Sequence, residues 1–195
     1  MPDLVAVRRP SSVTVLADLV GGTLLRDLFL VVGAAGFVGA LAQLSFHLSF
    51  TPVPITGQTL GVLLAGTALG WKRGFAAMML YGVAGLFGVP WFADHASGYV
   101  GASFGYIIGF VLCATLCGYF AEKGADRSVR NAIWVMVLGE IVLYTVGVTW
   151  LKIDLHVSFS TAISLGFTPF IIGDAIKAAI AAILLPGAWR YVDRK

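Results

Sequence analysis

Charged side chains are scarce in this chain. Only 12% of its 195 residues are Asp, Glu, Lys or Arg, which is about half the fraction found in soluble globular domains. Hydrophobic residues make up 58% of the sequence, and the mean hydropathy is +0.90. So apolar a composition excludes an ordinary soluble domain and predicts an all-α integral membrane protein.

Several functional classes lack their sequence signals. No Gly-x4-Gly-Lys-[Ser/Thr] loop is present, so nothing indicates that the chain itself binds a nucleotide. The basic residues are dispersed among the loops, so the net charge of +3 predicts no nucleic-acid partner. No internal repeat is evident, which weighs against an inverted-repeat secondary transporter. Residues 1–22 have no apolar core followed by a cleavage site, so we expect no cleaved signal peptide.

Metal and enzyme chemistry have little support. Cys113 and Cys117 lie four residues apart in one apolar stretch, where cysteine usually packs as a small hydrophobic residue. The spacing of His47, His95 and His156 gives no support for a zinc site. No nucleophile or acid–base pair converges at one depth. We therefore predict no metal, no cofactor and no enzymatic activity.

Six apolar segments predict six transmembrane helices. They cover residues 28–46, 58–69, 75–89, 104–120, 132–151 and 169–185. The second is short for a full crossing and could tilt, break or begin inside a re-entrant loop. Thr168-Pro169 is typical of a helix start, and Pro186-Gly187 of a helix end. We expect a membrane domain at 27–190, a cytoplasmic tail at 191–195, and a cytoplasmic segment at 1–26 that is either interfacial or loose.

The loop charges predict the orientation. If six helices cross the membrane, Lys152 is alone on one side, and eleven basic residues share the other. The positive-inside rule then places both termini in the cytoplasm of a multi-pass cell-membrane protein. The eleven residues are Arg8, Arg9, Arg26, Lys72, Arg73, Lys123, Arg127, Arg130, Arg190, Arg194 and Lys195.

Asp174 and Lys177 lie inside the sixth apolar segment. A charge at membrane depth costs several kcal/mol unless it meets a partner, a cavity or a ligand. The i,i+3 spacing places both on one helix face, ~9 Å and ~13–14 Å below Thr168 and hence in the outer half of the membrane. We predict a ligand site here, with a salt bridge that only fixes helix packing as the alternative. Glu140 is a weaker candidate that could pair with Lys177, line the cavity, or face the cytoplasmic half.

Two outer loops are unusual enough to suggest a binding pocket. Residues 47–59 contain two prolines, followed by Thr56 and Gln58 at a helix start, and residues 88–105 are rich in glycine and aromatic side chains. Prolines stiffen a loop, and long loops often serve binding. We expect both loops to cover an outward-facing pocket floored by Asp174 and Lys177, although the first could be no more than a rigid turn.

Small residues recur at four-residue spacing in the first segment. Ala35 with Gly39 and Gly36 with Ala40 form small-xxx-small pairs, which let another helix approach closely. Docking of a partner subunit and packing within the chain are both open.

The motifs resemble those of the BioY family, the biotin-binding membrane subunits (S components) of energy-coupling-factor (ECF) transporters. The resemblance covers residues 16–189 and departs from the family pattern at 94–98 and at 101–102. Its strongest pieces are Pro52-Val-Pro-Ile-Thr-Gly-Gln-Thr59, Gly88-Val-Pro-Trp-Phe-Ala93, Gly105-Tyr106 and Pro169-Phe-Ile-Ile-Gly-Asp-Ala-Ile-Lys177.

The resemblance implies an ECF S-component fold of six helices that captures biotin from outside. Its partners would be a transmembrane coupling subunit, two ATP-binding-cassette (ABC) ATPases and membrane lipid; a homo-oligomer is open. On this hypothesis Asp174 and Lys177 grip one end of biotin, since carboxylate and ammonium groups match its polar atoms. The remaining predicted contacts are Gln58, Thr56, Tyr106, Trp91 and Trp150.

Other functions remain open from the sequence. One alternative is an S component for a different vitamin. Another is a solitary biotin transporter driven by an ion gradient, in which Glu140 would carry the proton.

Overall fold

The computed structural model describes residues 13–194 and is mostly helical. Within that range seven α-helices and one short hairpin follow one another. The helices are α1 (Leu24–Ala42), α2 (Gln58–Leu69), α3 (Trp71–Leu86), α4 (Phe104–Glu122), α5 (Val129–Asp154), α6 (Phe159–Gly166) and α7 (Ile171–Asp193). Strands β1 (Ser45–Phe46) and β2 (Ile55–Thr56) pair antiparallel between α1 and α2.

Each of the six predicted segments contains an α-helix, although the first extends into β1. Length and composition alone mark fewer membrane crossings. Four helical stretches in the described part of the chain are long and apolar enough to span: Leu24–Ala42, Gly101–Glu122, Val129–Asp154 and Phe159–Asp193. Helix α2 has only 12 residues, as its short apolar segment led us to expect. The charges assigned to Arg8, Arg9 and Lys195 lie outside the described residues.

The predicted ends of the last helix are wrong. Thr168 belongs to a short 3₁₀ turn, Thr168–Phe170, and its hydroxyl donates to the Ile163 carbonyl (3.3 Å) instead of capping α7. Pro186 lies inside α7, which continues to Asp193. Proline normally breaks a helix by removing a backbone hydrogen bond. Here Trp189, which is 1% exposed and donates its indole N–H to Asp126, holds the following turns in place.

The connection between α5 and α7 contains a helix that lies outside the six predicted segments. Helix α6 begins after Ser158, whose hydroxyl caps it by accepting from the Thr161 backbone N–H (3.1 Å). Its Ser- and Thr-rich start resembles a loop in composition because these residues favour both caps and turns.

Helix α4 packs at the centre of the bundle against α2, α3 and α5. Small residues allow close contact: a Cβ on Gly66 would lie 2.6 Å from the Ala114 backbone. A Cβ on Gly139 would lie 2.7 Å from the Cys117 sulfur. Cys113 and Cys117 are free and buried, as expected for packing residues.

Both ends of the described chain meet the α4–α5 connection. Arg127 donates to the carbonyl of Thr14 (3.2 Å), and Trp189 donates to Asp126. Asp18 accepts from the Arg73 guanidinium (2.6 Å) at the same end of the bundle. The two chain ends therefore lie on the side opposite the β1–β2 hairpin.

Asp18 fastens the short turn that precedes α1. Burial raises the pKa of its carboxyl, but hydrogen bonds from Arg73, Val15 and Thr14 outweigh burial, so the pKa lies below its usual value of 3.8. Val15 and Ala17, on either side of Leu16, are buried in the bundle. The Asp18–Arg73 ion pair thus holds an otherwise apolar turn against the helices.

Candidate functional site

A cavity opens at the hairpin end of the bundle. It has a volume of about 230 Å³, and several polar side chains line it. Aromatic and aliphatic walls with a few convergent polar groups are typical of small-molecule sites. The lining includes His47, Val53, Thr56, Gln58, Thr59, Phe92, Asp94, Ser103, Tyr106, Ile107, Phe110, Leu143, Tyr144, Phe170, Asp174 and Lys177.

Asp174 and Lys177 form an ion pair in the wall of this cavity. The ammonium donates to Asp174 Oδ1 (2.6 Å), and the side chains are 5% and 15% exposed for Asp174 and Lys177 respectively. Asp174 lies in the first turn of α7, where the helix dipole favours a negative charge. The predicted pair is thus formed and faces the cavity; its role in binding stays a prediction.

Tyr144 completes the bonding of Asp174 and was not among the predicted site residues. Its hydroxyl, from α5, donates to Asp174 Oδ2. Its ring packs edge-on against Phe167, with centroids 4.9 Å apart. Both oxygens of the buried carboxylate therefore have donors. The sequence gives one indication of this role. Tyr144 lies one helical turn from Glu140, an ionisable residue inside the same apolar segment.

Thr56, at the end of β2, and Gln58, at the start of α2, both line the cavity, and their contact with a ligand stays a prediction. The Thr56 hydroxyl donates to Gln58 Oε1 (2.8 Å), and Gln58 Nε2 donates to the Tyr81 hydroxyl (2.7 Å). Tyr81 donates onward to the Trp91 carbonyl (3.2 Å). This chain of bonds holds the Gln58 amide in one orientation beside the cavity.

Of the three predicted aromatic walls, only Tyr106 lines the cavity. Its hydroxyl donates to the Gly166 carbonyl (2.7 Å). Trp91 instead packs on Gly39 and donates to the Tyr81 carbonyl (2.9 Å). Trp150 packs on Gly105 and donates to the Gly101 carbonyl (3.2 Å).

Phe92, Phe110 and Phe170 provide aromatic wall in place of the two tryptophans. Both tryptophans are half-buried and fasten the loops to the helices, so they shape the cavity from outside its lining.

The two loops that were predicted to be outer, residues 47–59 and 88–105, are joined beside the cavity. His47 Nε2 lies 3.1 Å from Asp94 Oδ2, and the Ser45 hydroxyl also donates to Asp94. Gln43 donates to the Phe92 carbonyl (3.0 Å) and accepts from the His95 backbone N–H (3.0 Å). Asp94 and His95 both have a φ of 58°, a left-handed conformation uncommon for these residues. This stretch coincides with the departure from the family pattern at 94–98.

The far side of the second loop is fastened to α5. The Tyr99 hydroxyl donates to the Asp154 carboxylate, and this bond raises the pKa of Tyr99. Tyr99 packs against Phe104 and Trp150. The loop is thereby held at both ends beside the cavity mouth.

A second, mostly apolar groove lies between α5 and α7. It meets the cavity at Tyr144 and Asp174, which line both spaces. Besides Asp174, the charged residue that lines this groove is Glu140. Its Oε1 atom is buried and has no hydrogen-bond partner among residues 13–194. The other lining residues are Ile133, Val137, Ile141, Phe167, Ile171, Ala175, Ala178 and Ala179.

The predicted docking residues divide between two faces of α1. Ala35 and Gly39 are buried, and Gly39 contacts Trp91. Gly36 and Ala40 are exposed, and a Cβ on Gly36 would meet no atom within 4 Å. Packing within the bundle thus accounts for the first pair, and only the second is available to a partner.

The fold and cavity define an α-helical membrane protein whose cavity is lined by a buried ion pair. The BioY family model matches residues 10–194, and the chain belongs to the BioY family.

Named relatives and a solved structure are similar over most of the chain. The biotin transporter BioY of Rhizobium etli is 34% identical over 170 residues, covering 82% of this chain and 90% of the relative. The biotin transporter BioY of Thermotoga maritima is 37% identical over 155 residues, covering 77% of this chain and 90% of the relative. A crystal structure of the S-component for biotin from an ECF-type ABC transporter superposes with a TM-score of 0.77 at 27% identity, covering 85% of this chain and 92% of that one.

Proposed function

We propose that this protein captures biotin at the outer face of the cytoplasmic membrane and carries it inward as the S component of an ATP-driven ECF transporter. The observation that carries the proposal is the Asp174–Lys177 pair, which lies in the wall of a cavity in a chain of the BioY family. ATP hydrolysis would occur on two partner ATPases, joined through a transmembrane coupling subunit.

The polarity of the cavity favours one orientation of biotin. Its ureido ring offers two N–H donors and one carbonyl acceptor, which match the Asp174 carboxylate and the Lys177 ammonium. The biotin carboxylate would be repelled by Asp174 if it entered first. We therefore place the ureido ring beside Asp174, with Tyr144 adjacent, and the carboxylate toward the mouth near His47.

The chain ends and the loop charges together support the topology that we propose. Thr14 and Trp189 both meet the α4–α5 connection, so an even number of crossings fits the fold. Six crossings then place the basic residues of that end in the cytoplasm. The cavity mouth opens outward, and the exposed Gly36 and Ala40 face of α1 would receive the coupling subunit.

Binding measurements on the purified protein test the site. We expect Asp174→Asn and Lys177→Met each to weaken biotin binding at least about thirtyfold, because each leaves a buried charge without its partner. Isothermal titration calorimetry in detergent would measure the affinity.

Lys72→Met, at the opposite end of the bundle, is the matched control and should bind as the wild type does. Near-wild-type affinity in both site variants would reject these residues as the biotin grip. A wild-type protein that binds another vitamin and not biotin would reject the proposed substrate.

A further inference from the structure

A ligand that binds Asp174 would take away the acceptor of the Lys177 ammonium. In the structure its ammonium is held by Asp174 Oδ1. A ligand whose N–H groups donate to Asp174 competes for the same oxygens. The ureido carbonyl is only a neutral partner for Lys177, so the ammonium would lack a counterion at membrane depth, which costs several kcal/mol. A second carboxylate near Lys177 would therefore favour binding.

The antiparallel packing of α5 and α7 brings Glu140 to the depth of Lys177. Asp126, just before α5, bonds Trp189 near the end of α7, while Tyr144 bonds Asp174 at its start. From the Tyr144–Asp174 contact, Glu140 is four residues back along α5, about 6 Å deeper. Lys177 is three residues forward along α7, about 4.5 Å deeper.

Glu140 has the capacity to accept this ammonium. Its buried Oε1 has no hydrogen-bond partner among residues 13–194, and buried carboxylate oxygens normally have one. Glu140 lines the same groove as Asp174 and Tyr144. The four-carbon stem of Lys177 is flexible and its ammonium has three N–H donors, so the ammonium can reach toward Glu140.

We propose that Glu140 is a positioning residue that accepts the Lys177 ammonium when biotin engages Asp174. Ligand entry thereby exchanges one ion pair, Asp174–Lys177, for another, Glu140–Lys177, and no charge is left unpaired. This role rests on the proposed function, since it requires a ligand that donates to Asp174.

A double-mutant cycle between Glu140→Gln and Lys177→Met tests the exchange. Calorimetry should show that Glu140→Gln weakens biotin binding about tenfold. The double variant should lose less affinity than the product of the two single losses. Thermal unfolding without biotin should show additive effects, because the two side chains are not paired in that state. Glu140→Asp should keep affinity within about threefold of the wild type, because a carboxylate remains.

Glu122→Gln is the matched control, because it makes the same chemical change near the opposite end of the bundle. It should leave affinity unchanged. Wild-type affinity in Glu140→Gln would overturn the role of Glu140 but not the proposed function. Affinity losses that simply multiply in the double variant would do the same. A wild-type protein that fails to bind biotin would overturn the proposed function and, with it, the exchange.

Discussion

Asp174 is the residue on which the site is built. Its carboxylate accepts one hydrogen bond from Lys177, in the same helix, and one from Tyr144, in α5. The ammonium compensates its charge, and the hydroxyl fixes its direction. A carboxylate held in this way presents its remaining acceptor capacity to the cavity in one orientation, which lowers the ordering cost when a ligand binds.

Removal of the Tyr144 hydroxyl should loosen that orientation. We expect Tyr144→Phe to weaken biotin binding about tenfold, because one hydrogen bond to the charged group is lost while the ring stays packed. Calorimetry in detergent measures the affinity. Tyr119→Phe, near the C-terminal end of α4 and outside the cavity lining, is the control. Equal affinity in Tyr144→Phe and the wild type would show that Asp174 needs no support from α5.

Asp18 should make stability depend on pH. Its pKa in the folded protein lies below 3.8, so its carboxylate stabilises the fold fully above the unfolded-state pKa. The contribution is lost as the pH falls through the folded-state pKa. We expect Asp18→Asn to melt a few degrees below the wild type at pH 7. At pH 3 the difference should be smaller. A difference that is the same at both pH values would contradict the ionic role.

The sequence predicts the charged centre of the site better than its walls. Asp174 and Lys177 are conspicuous because charge is rare in an apolar helix, and Gln58 and Thr56 because they begin a helix after a stiff loop. Trp91 and Trp150 have no comparable signal. Large aromatic residues near a membrane interface pack in many ways, and only the fold shows that both contact glycines outside the lining.

At the scale of elements, α1 has one face for the bundle and one that is free. Ala35, Val38, Gly39 and Ala42 are buried, while Gly36 and Ala40 are exposed. A four-residue spacing predicts that each small pair shares a face, but not which pair faces inward. The difference arises from Trp91, which lies on Gly39.

Two glycines three residues apart offer a matched test of α1. We expect Gly36→Val to bind biotin normally but to reduce ATP-dependent uptake in cells with the coupling subunit and ATPases, because a branched side chain blocks close approach. Gly39→Val should lower the melting temperature, since its Cβ would already lie 3.0 Å from Trp91. Normal uptake by Gly36→Val would place docking elsewhere.

Apolar periodicity predicts which stretches are helical, but not where they end. Pro186 resembles a helix stop by its local chemistry, yet the Trp189–Asp126 bond carries α7 beyond it. Helix α6 is missed because Ser158 and its neighbours suit a loop equally well. In both cases contacts distant in sequence decide the outcome, and no local pattern contains them.

At the scale of the whole molecule, residues near both ends of the described chain contact the α4–α5 connection and so lie at the same end of the bundle. Cysteine labelling in intact cells tests which side of the membrane that face occupies. Ser160→Cys, on exposed α6, should react with an impermeant maleimide, whereas Lys123→Cys should react only after lysis. Cys113 and Cys117 are buried and should give little background. The reverse labelling pattern would invert the proposed topology.

The internal bonding of Asp174 also bears on which molecules are rejected. Because both of its oxygens already have donors, an entering molecule must compete with the protein's own side chains. A fatty acid of similar length brings an apolar tail and a carboxylate but no N–H group, so it cannot replace those bonds. Such a molecule gains only burial of its tail. Under the proposed function, discrimination between biotin and abundant lipids would depend on ligand N–H groups that replace the hydrogen bonds to Asp174.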